Sequence, residues 1–490
     1  MELELPKVLL SGVAPEVVLT IAALALLVVD AFIPERVNRW YLPAFSTLGL
    51  VVAIVFAVAA WDTNELQLSN MVAADNFAVF AKVGLGIFGV LTVWLGREFL
   101  SSESEESEFY ALVLFAVAGM MLMVGAADLI MMFLALETFS IALYVLVAFR
   151  RRSLESHEAA MKYFLLGAFS SAFFLLGIAF TYGAVGSTNL YGGAGNAGIA
   201  DFLRSSPAGD VGLLVIASGL LIVGLGFKVA AVPFHMWTPD AYQGAPSPVA
   251  GFMAAASKLA GFAALLRLLH VALLPLRWDW RPLLIGVAIA TMVVGSVLAV
   301  VQEDVKRLLA YSSIAHAGFI LTGVIAATDR GVSGSLFYLV TYGLTVMGAF
   351  AIVAVIGGPD EKKVRLSDYK GLFYERPLLA GVLTLFLLSL AGVPLTAGFV
   401  GKLVVFGAAI EAGYWWLAVI GVLTSAIAAF FYLRVLVVTY MQEPDEGTRF
   451  PALTPMATGV IALTAIATLY FGLMWASLIK AAENATLIAG

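Results

Sequence analysis

Apolar stretches long enough to cross a bilayer follow one another along the whole chain, and they constrain its fold more than any other feature. A membrane-spanning helix needs about 20 mostly apolar residues and satisfies its backbone hydrogen bonds within itself. About fourteen such stretches can be recognised: 15–33, 41–61, 76–96, 110–126, 129–149, 161–184, 211–235, 248–273, 282–302, 308–328, 333–356, 378–410, 415–440 and 455–479. The sequence therefore predicts an all-α polytopic membrane protein with about fourteen transmembrane helices and no sizeable soluble domain.

The composition supports this class and excludes several kinds of site. Of the 490 residues, 62% are hydrophobic and 12% are charged, which is unlike a soluble domain. The chain has no cysteine, which excludes disulfides and cysteine-ligated iron–sulfur clusters. The segment GAGNAG (Gly193, Gly195 and Gly198) fits G-x-G-x-x-G, but no strand precedes it and no helix follows it. We therefore predict a loop at 185–210 and no nucleotide site.

Two of the apolar stretches contain both a lysine and prolines that interrupt a helix. Lys228 is followed five residues later by Pro233, and Lys402 follows Pro394 in the sequence AGVPLTAGFVGK. Proline removes a backbone donor and clashes with the preceding turn. A broken helix beside a charge within the membrane is typical of an ion path. We therefore predict that the seventh and twelfth helices are discontinuous, with breaks at Pro233 and Pro394.

The spacing of these two breaks suggests an internal repeat. The broken stretches are five spans apart, and a unit with an odd number of spans places its second copy upside down. We therefore predict two inverted five-helix repeats within a single membrane domain. The predicted divisions are three N-terminal spans in 1–107, the first repeat in 108–275, the second in 280–442, and a C-terminal span in 453–490.

Basic residues within the predicted spans differ in depth. Lys228, Lys258 and Lys402 lie deep and close to proline-rich segments, so a functional role is favoured. Seven Lys and Arg fall within spans in total: Lys82, Lys162, Lys228, Lys258, Arg267, Lys402 and Arg434. Lys162 and Arg267 lie near span ends and are expected to extend their charged groups towards water. For Lys82 and Arg434, structural pairing and function are equally open.

One acidic residue and two histidines complete the candidate set. Glu137 lies deep in the fifth span, where it either bonds a neighbouring helix or tunes a buried lysine. Burial disfavours the charged forms of carboxyl and amine groups, and an opposite charge nearby favours them, so a separable Glu–Lys pair could control proton affinity. His235 follows Pro233, and His316 lies inside the tenth span; both suit proton relay or support. No histidine pair has metal-ligand spacing, so no metal site is predicted.

The distribution of basic residues between loops predicts the orientation. Cytoplasmic loops of membrane proteins carry an excess of Lys and Arg. Loops after spans 1, 3, 5, 9, 11 and 13 contain Arg36, Arg39, Arg97, Arg150, Arg151, Arg152, Lys306, Arg307, Lys362, Lys363, Arg365, Lys370, Arg376 and Arg449. The opposite side contains Lys7, Arg204, Arg277, Arg281, Arg330 and Lys480. We therefore place the first set in the cytoplasm and expect both termini outside.

Three segments carry a resemblance to a known family: FKVAAVPFHMWTPDAYQGAPSPVAGFMAAASK, QEDVKRLLAYSSIAHAGF and GVPLTAGFVGK. Together they resemble the subunit N family of proton-translocating NADH–quinone oxidoreductase, respiratory complex I. The resemblance extends over essentially the whole chain. The pattern PFHxWxPDAY is shared by the wider antiporter superfamily, whereas TPDAYQGAPSPV and the ASKLAGF setting of Lys258 are more specific to subunit N.

The resemblance implies roles for particular residues. Glu137, Lys228, Lys258 and Lys402 match the family's glutamate and lysines of the fifth, seventh, eighth and twelfth spans, which line a hydrated axis at mid-membrane. The implied function is proton translocation coupled to quinone reduction in other subunits. NADH, FMN, iron–sulfur clusters and quinone are then expected elsewhere, with no cofactor in this chain. The expected partners are other membrane-arm subunits and the lipid bilayer, and no nucleic acid.

Other functions stay open at the level of sequence. A subunit of a multi-subunit Na⁺/H⁺ antiporter would share the broken helices and the lysines. A non-conducting scaffold would need neither the three deep lysines nor Glu137. A quinone-binding subunit is a further alternative.

Overall fold

The computed structural model describes residues 11–34, 39–100, 106–192, 197–205, 212–358, 361–444 and 450–488. These residues are almost entirely helical, which confirms the predicted all-α membrane class. Several residues used above lie outside the described residues: Lys7, Arg36, Gly193, Gly195 and Arg449.

Twenty α-helices and one short hairpin make up the described structure. The helices in the first half are α1 (Ala14–Phe32), α2 (Tyr41–Ala59), α3 (Asn76–Leu100), α4 (Glu106–Val124), α5 (Leu129–Val147), α6 (Leu154–Val185), α7 (Ile199–Ser205), α8 (Gly212–Lys228), α9 (Trp237–Gly244) and α10 (Ser247–Phe252). Those in the second half are α11 (Lys258–Arg267), α12 (Arg277–Val300), α13 (Val305–Ala326), α14 (Asp329–Gly357), α15 (Leu372–Glu375), α16 (Pro377–Ala391), α17 (Ala397–Glu411), α18 (Trp415–Met441), α19 (Pro455–Leu473) and α20 (Ala476–Glu483).

Twelve helical segments of the described chain are long and apolar enough to cross a membrane. One of them, 247–272, joins α10 and α11 through a π-helical turn, Met253–Ser257, and ends in a second such turn, Leu268–Ala272. Two further apolar helices, α8 and α16, are shorter, with 17 and 15 residues. The total of fourteen spans, the inverted relation of the repeats and the domain divisions stay predictions.

Both short apolar helices stop where the sequence places prolines. Helix α8 ends at Lys228, the non-helical segment 229–236 contains Pro233, and α9 begins at Trp237. Helix α16 ends at Ala391, the segment 392–396 contains Pro394, and α17 follows. The carbonyls left free at a helix end need donors when no water is near. At the first break the indole of Trp237 supplies one, at 2.9 Å from the Phe227 carbonyl oxygen.

The centre of the bundle is formed by α13, α14 and the 247–272 segment. All residues of the most apolar stretches of α14 and 247–272 are buried, whereas in α2, α18 and α19 more than half of those residues are not buried. Small residues bring the central helices close together. A Cβ added to Gly295 of α12 would lie only 2.4 Å from the Ala315 nitrogen of α13, so glycine is needed at this crossing.

Two local features were not predicted. Strands β1 (Glu65–Gln67) and β2 (Val72–Ala74) form an antiparallel hairpin between α2 and α3, too short to show an alternating pattern in sequence. The predicted loop 185–210 also contains the short helix α7.

Candidate functional site

Three lysines are buried within the bundle, as predicted. The exposed fraction is 2% for Lys228, 1% for Lys258 and 6% for Lys402. No carboxylate among the described residues lies within 4 Å of the ammonium group of any of the three. We refer to Lys228, Lys258 and Lys402 as the lysine row.

Three other buried cations of the described chain do have a carboxylate partner: Lys82 with Glu16 at 2.7 Å, Arg267 with Asp75 at 2.7 Å and Lys306 with Glu361 at 2.6 Å. A fourth, Arg281, is 8% exposed and donates instead to the Tyr414 hydroxyl at 3.0 Å and the Ala326 carbonyl oxygen at 3.3 Å. Burying a charge is costly unless it is paired and hydrogen-bonded. These pairs are therefore structural. The lysine row differs from them because no carboxylate offsets the cost of burying its charges.

Two expectations for basic residues are corrected by this comparison. Arg267 does not extend towards water: it is fully buried, because Asp75, which is 192 positions away in sequence, lies beside it. Lys306 is not a loop residue exposed to the cytoplasm but is 1% exposed, on α13. Arg434 donates to the Val300 carbonyl oxygen at 2.8 Å and closely to that of Gln302, so it caps the end of α12.

Lys228 is the last residue of the interrupted helix α8. Its ammonium nitrogen has no hydrogen-bond acceptor in the part of the chain that the structure describes. Instead, it faces the rings of four aromatic residues: Phe139 at 5.1 Å, Tyr163 at 5.3 Å, Tyr144 at 5.6 Å and Phe227 at 5.8 Å. The face of an aromatic ring attracts a cation that lies within about 6 Å of the ring centre, but it fixes the charged form less strongly than a carboxylate would. This setting tolerates both the charged and the neutral amine.

Lys258 follows directly after the π-helical turn Met253–Ser257. Such turns occur frequently at functional sites. The ammonium group donates to the Ser313 carbonyl oxygen of α13 in a close contact and lies 6.0 Å from the centre of the Tyr342 ring. Three residues further on, Gly261 packs against α8, where an added Cβ would lie 3.4 Å from the Lys228 Cβ. The first two lysines of the row therefore occupy adjoining positions on packed helices.

His316 lies between Lys258 and Lys402. Its Nδ1 is 2.9 Å from the Tyr338 hydroxyl and its Nε2 is 3.3 Å from the Tyr432 hydroxyl, which also contacts Ser312 closely. The ring centre lies 4.8 Å from that of Tyr342. A neutral imidazole accepts at one nitrogen and donates at the other, and both tyrosine hydroxyls can do either. The histidine is thus part of a hydrogen-bonded cluster in which donor and acceptor can exchange roles.

Lys402 caps the interrupted helix α16 from the first turns of α17. Its ammonium group donates to the carbonyl oxygens of Leu390 at 3.1 Å and Ala391 at 2.8 Å, and to the Ser425 hydroxyl at 2.6 Å. The negative end of a helix dipole favours a cation at this position. The ring of Phe319 lies 4.9 Å from the Lys402 nitrogen and 5.6 Å from the ring of His316, which joins this lysine to the rest of the row.

Glu137 bonds a neighbouring helix, one of the two readings of the sequence, and His235 lies apart from the lysine row. Glu137 is half-buried on α5 and accepts a close hydrogen bond from the Ser171 hydroxyl, and it is not within ion-pair distance of Lys228. His235 lies in the non-helical segment after Pro233, half-buried, and none of the contacts of the described residues joins it to the lysine row.

Sequence reasoning missed the hydroxyl groups of the row. Tyr342 and Ser425 lie beside Lys258 and Lys402, and Tyr432 lies beside His316, but in an apolar span they look like ordinary aromatic or small residues. Their only signal was a polar atom at membrane depth, which also occurs at structural positions such as Thr464. No group of three or more metal-ligating residues occurs among the described residues.

The lysine row lies within the part of the chain that matches a family profile. The profile of the family described as NADH:quinone oxidoreductase/Mrp antiporter, TM, matches residues 126–428. NADH-quinone oxidoreductase subunit N of Trichlorobacter lovleyi is 43% identical over 477 residues, which cover 97% of this chain and 96% of that relative. This chain belongs to the subunit N family.

Solved structures agree with this membership in the subunit N family. A chain of respiratory complex I from Thermus thermophilus with bound aureothin is 35% identical, with a TM-score of 0.81, and the match covers 96% of this chain and 100% of that one. A chain of the Mrp complex from Dietzia sp. is 21% identical, with a TM-score of 0.80, and the match covers 97% of this chain and 96% of that one. The second likeness shows a shared fold alone.

Proposed function

We propose that this chain is the proton-translocating subunit N of a membrane-bound NADH–quinone oxidoreductase. As a membrane-arm subunit it moves protons while electrons pass from NADH to quinone in other subunits. Moving one charge against about 100 mV requires about 2.3 kcal/mol. That free energy reaches the chain through its partners, the neighbouring subunits of the membrane arm.

The observation that carries the mechanism is the contrast among the buried lysines of the described chain. Lys82 and Lys306 each have a carboxylate within 3 Å, whereas the lysine row has none. A buried ammonium group without a counter-charge pays a desolvation penalty, and releasing its proton removes that penalty. The row therefore consists of groups that can exist in both protonation states, as proton carriers must.

Glu137, His316 and each lysine of the row have distinct proposed roles. Glu137 modulates Lys228: approach of the carboxylate favours the charged amine, and its withdrawal favours release. Lys258 passes the proton along the row, and His316 with its tyrosine partners links Lys258 to Lys402. Lys402 is the terminal donor or acceptor, steadied by the carbonyls of the interrupted helix α16.

Exposed apolar residues beside Glu137 and in the break before α17 support neighbouring membrane subunits as partners. Glu137 lies beside Leu134 and Ile141, which are 51% and 58% exposed on the lateral face of α5. At the other end, Leu395 in the break before α17 is 68% exposed. A carboxylate or a broken helix facing hydrocarbon is unfavourable. Both ends therefore fit contact with another subunit.

The location and the cofactor content follow from the same proposal. The chain is a multi-pass protein of the bacterial inner membrane, with both termini on the periplasmic side. NADH, FMN, iron–sulfur clusters and quinone belong to other subunits, and this chain itself binds neither a cofactor nor a metal.

Deletion of the gene tests the proposal. Inverted membrane vesicles of the deletion strain are expected to lose NADH-driven proton uptake, and expression of this chain should restore it. Native gels report whether the remaining complex assembles. Unchanged NADH-driven proton uptake in the deletion strain would refute the function. An Na⁺/H⁺ antiporter subunit instead requires loss of sodium-driven proton exchange in vesicles without NADH.

A further inference from the structure

A groove open to the membrane lies between α1, α4, α5 and the start of α6, away from the lysine row. Its volume is about 630 Å³. The wall is largely apolar and includes Leu27, Leu112, Phe115 and Val145. Val28 is 58% exposed and Val145 is 47% exposed. Val145 lies on the same face of α5 as Leu134 and Ile141, so the groove lies at the edge of the proposed subunit contact.

The groove is no deeper than one leaflet of a bilayer. On α4 its lining residues run from Glu108 to Phe115, seven residues further along. At a rise of 1.5 Å per residue this is about 10 Å. The hydrocarbon core is about 30 Å thick, so one leaflet is about half of that. A transmembrane helix of a partner would need a groove along the full thickness, whereas an acyl chain needs only one leaflet.

The polar lining residues all lie at one end of the groove. Glu108 is in the first turn of α4, Arg151 follows the end of α5, and His157 is in the first turn of α6. Arg151 is the middle residue of three consecutive arginines, 150–152. His157 Nε2 lies 2.8 Å from the Arg151 carbonyl oxygen, which fixes this connection over the groove mouth.

We propose that this groove binds one anionic glycerophospholipid, with an acyl chain along Leu112 and Phe115 and its phosphodiester beside Arg151. Basic pockets at the ends of transmembrane helices recognise anionic lipid headgroups. Glu108, whose carboxylate accepts from the Ser107 hydroxyl at 3.2 Å, can also accept from the hydroxyls of a glycerol headgroup. Phosphatidylglycerol combines this charge and these donors. The proposal is independent of proton translocation.

Lipid retention by the purified full-length chain tests the proposal. The chain is incubated in detergent with equal amounts of phosphatidylglycerol, phosphatidylethanolamine and phosphatidylcholine that have identical acyl chains, and retained lipid is measured by mass spectrometry. We expect phosphatidylglycerol to be retained preferentially. Arg151→Gln should reduce this preference about fivefold, the factor that corresponds to about 1 kcal/mol for one arginine at a membrane surface. Arg365→Gln, an exposed arginine distant in sequence, is the matched control and should change nothing.

Two further variants make the test decisive. Ala148→Trp fills the groove and should abolish retention; if this variant does not fold, Val145→Phe serves the same purpose. A photoreactive amino acid at Leu112 in the assembled complex should crosslink to lipid in native membranes. Equal retention of all three lipids, equal effects of the Arg151 and Arg365 substitutions, or a Leu112 crosslink to a neighbouring polypeptide would overturn the proposal.

Discussion

The buried ion pair between Asp75 and Arg267 tests how much a buried charge without its partner destabilises the bundle. Arg267 donates to both Asp75 oxygens, at 2.7 and 2.8 Å, to the Tyr191 hydroxyl at 2.6 Å and to the Val124 carbonyl oxygen at 3.1 Å. Both side chains are fully buried. Asp75 also accepts from the backbone nitrogen of Ile488 at 3.3 Å, so the pair fastens the C-terminal segment to α3 and α11.

The expected cost differs between the two partners. Asp75→Asn keeps the shape but leaves the Arg267 charge buried without a counter-charge, and breaking a buried pair in this way costs about 3–5 kcal/mol. Arg267→Met should cost less, because Asp75 keeps the backbone donors of Ala78, at 2.8 Å, and Ile488. The double variant removes the unpaired charge and should therefore be more stable than Asp75→Asn alone.

The assay is thermal aggregation of the purified chain in detergent, with native gels to follow assembly. Lys162→Met is the matched control, because Lys162 is 46% exposed and its pairs with Glu158 and Asp240 are worth about 0–1 kcal/mol. The reasoning is refuted if Asp75→Asn is as stable as the unaltered chain. It is equally refuted if the double variant is no more stable than that single variant.

Three further outcomes are expected. A cysteine replacing Ser367, which is exposed after α14, should react with an impermeant maleimide from the cytoplasmic side, and reaction from the outside would reverse the proposed orientation. Glu137→Gln keeps the size of the side chain but removes its charge. It should lower NADH-driven proton uptake about tenfold, which is equivalent to about 1.4 kcal/mol of lost charge interaction. Unchanged uptake would exclude a role for that charge. Tyr432→Phe should slow proton uptake without loss of assembly because it removes a hydroxyl beside His316, whereas Tyr440→Phe on the same helix, whose hydroxyl bonds Thr384, should not; equal rates in both variants would contradict the link.

Local sequence patterns predicted the features that depend on a single segment. Pro233 and Pro394 marked the segments where α8 and α16 stop, because proline acts on its own turn of backbone. The burial of Lys228, Lys258 and Lys402 followed from their depth in apolar stretches. These features need no knowledge of which helices pack together.

Features that depend on distant partners were not predictable in the same way. From sequence Arg267 resembled a residue at a span end, and only the structure places Asp75, which immediately precedes α3, beside it. The π-helical turn before Lys258 has the sequence MAAAS, which contains neither proline nor glycine to signal it. The hydrogen bond between His316 of α13 and Tyr432 of α18 joins residues that are 116 positions apart in the sequence. The ion pair and the proposed relay thus depend on tertiary packing, which the sequence of one segment does not encode.

The central claim is that the lysine row exchanges protons, and replacement by arginine tests it most directly. Arginine keeps the positive charge but does not release its proton in a protein. The measurement is protons translocated per NADH oxidised in inverted vesicles that contain fully assembled Lys228→Arg or Lys402→Arg complexes. Lys82→Arg is the matched control, because Lys82 pairs with Glu16 and arginine can keep that pair. We predict that both row variants lose translocation about as severely as their alanine counterparts while the control retains it. Assembled Lys228→Arg and Lys402→Arg complexes that translocate protons at the unaltered rate would contradict the claim.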